Sequence, residues 1–178
     1  AGDKSDIDYI NDFSAMPDNG ILGDYWTYLY EGVARANCAI AYIPDIRMDE
    51  ELKSRLVGEA KFLRALNYFH IGNIWGAVPL RTEPNAAGNG NLALSDVPTV
   101  YAKMESDLSD AIASAVPVAY SAADAGRATK GAAYALRAKV YLFRGNWGAC
   151  LADIESLEAL QQYELAETYG ELFVPGAE

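Results

Sequence analysis

Gly58-Glu59-Ala60-Lys61-Phe62-Leu63-Arg64-Ala65-Leu66-Asn67-Tyr68 and Gly131-Ala132-Ala133-Tyr134-Ala135-Leu136-Arg137-Ala138-Lys139-Val140-Tyr141 are the stretches that decide the fold. Laid one over the other at an offset of 73 residues, they share Gly, Ala, Leu, Arg, Ala and Tyr at matching places. The offset continues with Gly72 over Gly145 and Asn73 over Asn146, and a one-residue slip then brings Trp75-Gly76 over Trp147-Gly148. Self-similarity at this spacing marks a chain built from stacked supersecondary units. The small residues Gly58, Ala60, Gly131 and Ala133 suit helices that pack close and nearly antiparallel.

Working outward, apolar residues recur at steps of three and four, the signature of a helix with one buried face. Trp26, Leu29, Tyr30, Val33, Asn37 and Ile40 form such a stripe, with Asp24 as the expected N-cap and Pro44 as the stop. Leu52, Leu56, Leu63 and Leu66, with Phe62 and Phe69, predict the longest helix from Asp49 to about Asn73, its last turn broken by Gly72 and Gly76. Val100, Met104, Leu108, Ala111 and Ile112 predict a third before Pro117, and Arg127 to Phe143 a fourth. Asn146 is the expected cap of a fifth, which carries Cys150, Leu151, Ile154 and Leu157 and fades near Gln162. Residues 77 to 97, with Pro79, Pro84 and the run Asn85 to Asn91, read as a long exposed loop. No segment alternates as a strand does. Residues 1 to 23 read as an irregular polar lead-in and 24 to 178 as the helical region.

Composition excludes several classes of function. The chain has 178 residues, 51% of them hydrophobic, which is enough for a core without disulfides or structural metal. Fourteen basic against 25 acidic residues leave a net charge of −11, a field that repels nucleic-acid phosphates and anionic lipid. The sole histidine, His70, stands outside any nucleophile, zinc or phosphate-loop motif and reads as an ordinary helix residue. No apolar run approaches the roughly 18 residues of a membrane span. Asp3, Asp6 and Asp8 lack the spacing and the glycine of a calcium loop, so solvated charge is the better reading. Cys38 and Cys150 read as free buried thiols, although in an exported protein a bond between them is open.

An offset of 73 is about two 34-residue units plus loop residues, as two tetratricopeptide repeats would give. The blocks around the repeat then point to a family. W-x-x-L-Y at Trp26 to Tyr30 with Asn37, G-E-A-x-F-L-R-A-x-x-Y-F at Gly58 to Phe69, and W-G-x-V-P-L at Trp75 to Leu80 come first. The segments Val100 to Ala111 and Gly126 to Leu142, and the closing Tyr163-Glu164-Leu165 with Glu171-Leu172-Phe173, follow in order. Six blocks in this order strongly resemble the SusD/RagB family. The resemblance implies an all-α, SusD-like fold of tetratricopeptide-like hairpins stacked in a right-handed superhelix. It implies a Bacteroidetes outer-membrane lipoprotein, surface-exposed, that binds oligosaccharide or polysaccharide without catalysis or cofactor and delivers it to a SusC-like TonB-dependent transporter. Family members are longer, so the lipid anchor and the loop-rich C-terminal half are expected to be absent from this chain. The alternative is a tetratricopeptide scaffold that binds a peptide or a transporter loop. A glycoside hydrolase, the third reading, would need two carboxylates about 5–9 Å apart in a cleft.

Aromatic rings beside acids are the usual chemistry of sugar recognition, with ring faces on C–H patches and carboxylates on hydroxyls. Asp8, Tyr9, Asp12 and Phe13 in the lead-in, and Trp75 where a helix stops, are therefore the candidate ligand-binding residues. Trp26, Tyr30, Tyr68 and Tyr141 lie on helical stripes and read as packing. Arg64 and Arg137, at equivalent repeat positions among apolar residues, are expected to be buried and forked onto a carboxylate or carbonyls. Asn37 is expected to tie adjacent backbone in place, because an unsatisfied buried amide costs roughly 1–3 kcal/mol.

Overall fold

The computed structural model describes residues 5–84, 91–165 and 167–173. Six helices carry the fold: α1 (Asp6–Asn11), α2 (Gly20–Tyr42), α3 (Glu50–Trp75), α4 (Val97–Ala113), α5 (Lys130–Phe143) and α6 (Trp147–Ala159). Each of α2 to α6 begins at a side chain that accepts a backbone N–H of its first turn: Asn19, Asp49, Asp96, Thr129 and Asn146. The expected cap at Asp24 is corrected to Asn19, whose Oδ1 accepts the Leu22 N–H at 3.1 Å. The residues read as an irregular lead-in hold α1, closed by a capping box between Ser5 and Asp8, and the first turn of α2. Arg127 lies before α5 rather than in it, bonded to the Glu59 carboxylate that also accepts the Tyr120 hydroxyl at 2.5 Å.

Consecutive helices pack on one another from α2 through α6, giving an all-α stack. Val33, Ala65, Tyr68, Ile71, Val100, Met104, Leu108 and Val140 form its buried centre, one face from each of α2 to α5. Burying a side chain of this size is worth roughly 1.5–3 kcal/mol. The repeat glycines explain the close approach. A Cβ on Gly58 would lie 2.0 Å from Ser114 Oγ, and one on Gly131 would lie 2.3 Å from the Tyr163 ring. Gly72 does not break α3 but seats the Met104 methyl, and α3 ends instead at Gly76, whose φ of 73° suits glycine. Leu63, expected in the core, is exposed on α3.

The two hairpins, α3 with α4 and α5 with α6, are each closed by a two-pronged ion pair, as expected for the repeat arginines. Arg64 donates through Nε and Nη2 to Asp107 at 2.7 Å each. Arg137 does the same to Asp153 at 2.8 and 2.7 Å. The partners are 43 residues apart in the first hairpin and 16 in the second. Most of the excess is the connection from Gly76 to Asp96, and here the expected exposed loop is corrected. Val78–Pro79 (β1) pairs antiparallel with Leu94–Ser95 (β2), and Val78 is fully buried. Two residues per strand leave no alternation to read. The run Asn85 to Gly90 falls outside the described residues. Cys38 is exposed and Cys150 buried, and both are free.

Candidate functional site

The start of the inserted connection is held down by side chains from the helices. Tyr30 donates its hydroxyl to the Pro79 carbonyl at 2.8 Å. Tyr68 accepts the Arg81 N–H at 2.6 Å and donates to the Arg81 carbonyl at 2.8 Å. Asn37 Nδ2 donates to the carbonyls of Arg81 and Glu83 at 3.2 and 3.1 Å, and its Oδ1 accepts from Arg64 Nη1 at 2.7 Å. Arg64 also donates to the Thr82 carbonyl. A part-buried segment without strand partners on both sides needs such donors, and the amide expected to tie backbone supplies two of them. Burial pushes the Tyr30 phenol up to about 12, partly offset by the nearby Arg81 guanidinium. Burial raises Tyr68 further, against the opposing Arg81 N–H. Both stay neutral donors across the physiological range.

Between α2 and this segment lies an open groove of about 400 Å³, lined by Trp26, Thr27, Tyr30, Glu31, Pro79 and Arg81 among others. Trp26 is its aromatic wall, 4.6 Å from the Tyr30 ring and edge-on to Trp75 at 5.0 Å between centroids. Tyr25 extends the cluster to Trp75 at 6.4 Å. A ring face, a carboxylate and a guanidinium in one groove can hold a polyol by C–H stacking and bidentate hydrogen bonds. Glu31 is the one carboxylate among the described lining residues, short of the pair that hydrolysis of a glycoside needs.

The candidates from sequence divide between two places. Trp75 is the last residue of α3, half-buried in the Tyr25–Trp26 cluster. Asp8, Tyr9, Asp12 and Phe13 lie on or just after α1. The Asp8 carboxylate accepts from Ser5 N and Oγ at 2.9 and 2.8 Å, and the side-chain bond chiefly holds it below the usual carboxylate range. Asp12 is the C-cap, its N–H donating to the Asp8 carbonyl. Tyr9 is partly exposed, and Phe13, 99% exposed, holds its ring in solvent on a backbone with φ of 55°. Asp6 pins α1 to the start of α2, its carbonyl accepting from Asn19 Nδ2 at 3.0 Å and its carboxylate from the Gly20 N–H at 2.8 Å. Trp26 follows Gly20 by six residues, about 9 Å along the helix. α1 and the aromatic groove thus share the N-terminal half of α2.

The groove residues Trp26 and Tyr30 were legible only as packing, which is half of what they do. Arg81 carries no sequence signal beyond following Pro79-Leu80 at a helix stop. Among the described residues no three His, Cys, Asp or Glu side chains gather as a metal site.

Residues 2–142 match the family model SusD-like_3, described as starch-binding and associating with the outer membrane. The chain belongs to the SusD-like family. A SusD-like protein P25 of Formosa agariphila is 32% identical over 159 residues, 88% of this chain and 30% of that relative. A SusD-like protein of Bacteroides ovatus is 32% identical over 158 residues, covering 84% of this chain and 27% of its own length. The chain therefore spans about a third of the length of the relatives it matches. Among solved structures, a laminarin-binding SusD-like protein superposes with a TM-score of 0.79 at 36% identity, over 83% of this chain and 33% of that one. A SusD superfamily protein from Bacteroides vulgatus matches the whole chain with a TM-score of 0.90, and 38% of its own, at 24% identity, which speaks for the fold alone. The SusD-like fold expected from the ordered blocks is the fold observed.

Proposed function

We propose that the protein captures glycans without catalysis at the surface of the bacterial outer membrane. It is held there by a lipid anchor outside these residues and passes bound oligosaccharide to a SusC-like TonB-dependent transporter. The observation that carries the reading is the SusD-like family match over residues 2–142, whose description is starch-binding and outer-membrane association. The laminarin-binding relative at 36% identity adds a β-glucan to starch as a ligand class worth testing. Within the chain, the rings of Tyr9 on α1, of Phe13 just after it and of Trp26 in the groove are the sugar-facing surfaces, with Asp8, Asp12, Glu31 and Arg81 as polar neighbours. Trp75 supports Trp26 from behind.

The test is calorimetry of the gene-length protein against a panel that includes starch and laminarin oligosaccharides. Saturable binding of at least one glycan, with no new reducing ends released, is the expected result. Phe13→Ala should weaken that binding about tenfold with an unchanged melting temperature, since a stacked ring is worth roughly 0.5–1.5 kcal/mol beyond its area and this one supports no packing. A flat panel overturns glycan capture. Co-migration with a transporter barrel in that case would favour the tetratricopeptide scaffold reading instead.

A further inference from the structure

Six of the eight arginines are paired with a carboxylate, as befits a chain of net charge −11. Of the other two, Arg47 is exposed just after the Ile43–Asp45 turn, and Arg81 is half-buried. Among the described residues the Arg81 guanidinium has neither an ion pair nor a hydrogen bond. Its main chain, by contrast, is pinned on both sides. The Tyr68 hydroxyl accepts its N–H at 2.6 Å and donates to its carbonyl at 2.8 Å, and Asn37 Nδ2 donates to the same carbonyl. The residue is fixed in place while its charge is left open. A half-buried guanidinium has given up part of its hydration, and nothing in the protein compensates that loss.

The side chain lines the groove together with Trp26 and Tyr30. Its charge is felt at the Tyr30 and Tyr68 phenols, where it opposes the rise that burial causes. Glu31, the carboxylate of that lining, is already engaged by Arg35 at 3.2 Å. What the groove offers a ligand is therefore an aromatic wall and one unspent cation.

We propose that Arg81 receives a carboxylate, so that the preferred ligand is an oligosaccharide carrying a uronic-acid residue, its sugar ring on Trp26 and its carboxylate on the guanidinium. This names the ligand class of the glycan-capture site proposed above and rests on that reading. The planar fork of a guanidinium matches the two oxygens of a carboxylate. A run of acidic sugars would set its further carboxylates against the net charge of −11, so the uronate lies among neutral sugars. A phosphate ester, with its greater negative charge, is disfavoured in the same way.

The experiment is calorimetry of the gene-length protein with maltotriose and laminaritriose, each paired with the analogue whose non-reducing glucose is oxidised at C6 to glucuronate. At least one uronate should bind about tenfold or more tightly than its neutral parent, the worth of one charge-assisted hydrogen bond. Methyl esterification of that uronate should abolish the advantage, a readout that leaves the protein untouched. Arg81→Gln should also bring the pair together, with an unchanged melting temperature because the guanidinium holds nothing in the protein. Neutral sugars binding as tightly as their uronates, or an advantage that survives esterification or Arg81→Gln, overturns the inference and leaves glycan capture standing. Binding of none of the four sugars overturns both.

Discussion

Arg64 is the side chain on which most of the molecule converges. It bridges α3 to α4 through Asp107, touches α2 through Asn37, and holds the inserted connection at Thr82, with almost no exposure of either charged partner. Removing one partner of such a pair leaves the other uncompensated, which costs about 3–5 kcal/mol. Arg64→Met should therefore lower the urea midpoint strongly, despite Lys103 remaining 2.9 Å from Asp107. Arg137→Met should cost less, because that pair is partly solvated. The double change Arg64→Met with Asp107→Leu should regain much of the loss. The buried tyrosines give a pH signature. Folding raises the Tyr30 phenol from 10.0 to about 12, and Tyr68 moves the same way, so the folded state holds these protons more tightly than the unfolded chain does. Their contribution is fully present below about pH 10 and is lost as pH rises through the folded values. Melting temperature measured from pH 9 upward should fall past about pH 10, and Tyr30→Phe should flatten that fall. The arginine forks were readable as a charged residue repeated in an apolar frame. Which carboxylate each would meet was not, because Asp107 and Asp153 do not share the repeat offset of the arginines.

Among the helices, the decisive contacts are made where side chains are missing. Gly58→Ala places a methyl carbon against Ser114 and within 2.9 Å of Val116, so the end of α4 must move. Overpacking of this kind costs about 1–3 kcal/mol, measurable by thermal melting. Gly148→Ala, with nothing within 4 Å of the added carbon, should instead be neutral or stabilising by up to about 1 kcal/mol. Periodicity gave the existence and order of α2 to α6, because each has a buried stripe and a polar cap. It missed α1, whose six residues bury nothing and are held by Ser5, Asp8 and Asn19 instead. It also missed the β1–β2 ladder, since two paired residues carry no pattern, and it took Leu63 for core because helical spacing alone cannot say which side of a stripe the neighbour covers. The groove escaped for a related reason: Trp26 and Tyr30 each spend one edge on packing and one on the opening.

For the whole molecule, stacking makes stability a sum of hairpins and the interfaces between them. The net charge of −11 disfavours phosphate polymers as partners of this stack. The two hairpins close with the same fork although the chain between the fork partners is 43 residues in one and 16 in the other. Loop closure grows only slowly with length, by about 0.6 kcal/mol per doubling, so the fork can absorb the difference. Replacing residues 84–93 with a Gly-Ser linker of equal length should leave the melting temperature within a few degrees, provided Asn37, Arg64 and Tyr68 keep their hold on Arg81 to Glu83. A collapse of the melt would show that the distal part of the connection is itself structural. The corner between α3 and α4 is, in that sense, a socket. What is plugged into it can differ while the forked helices beneath keep their seating.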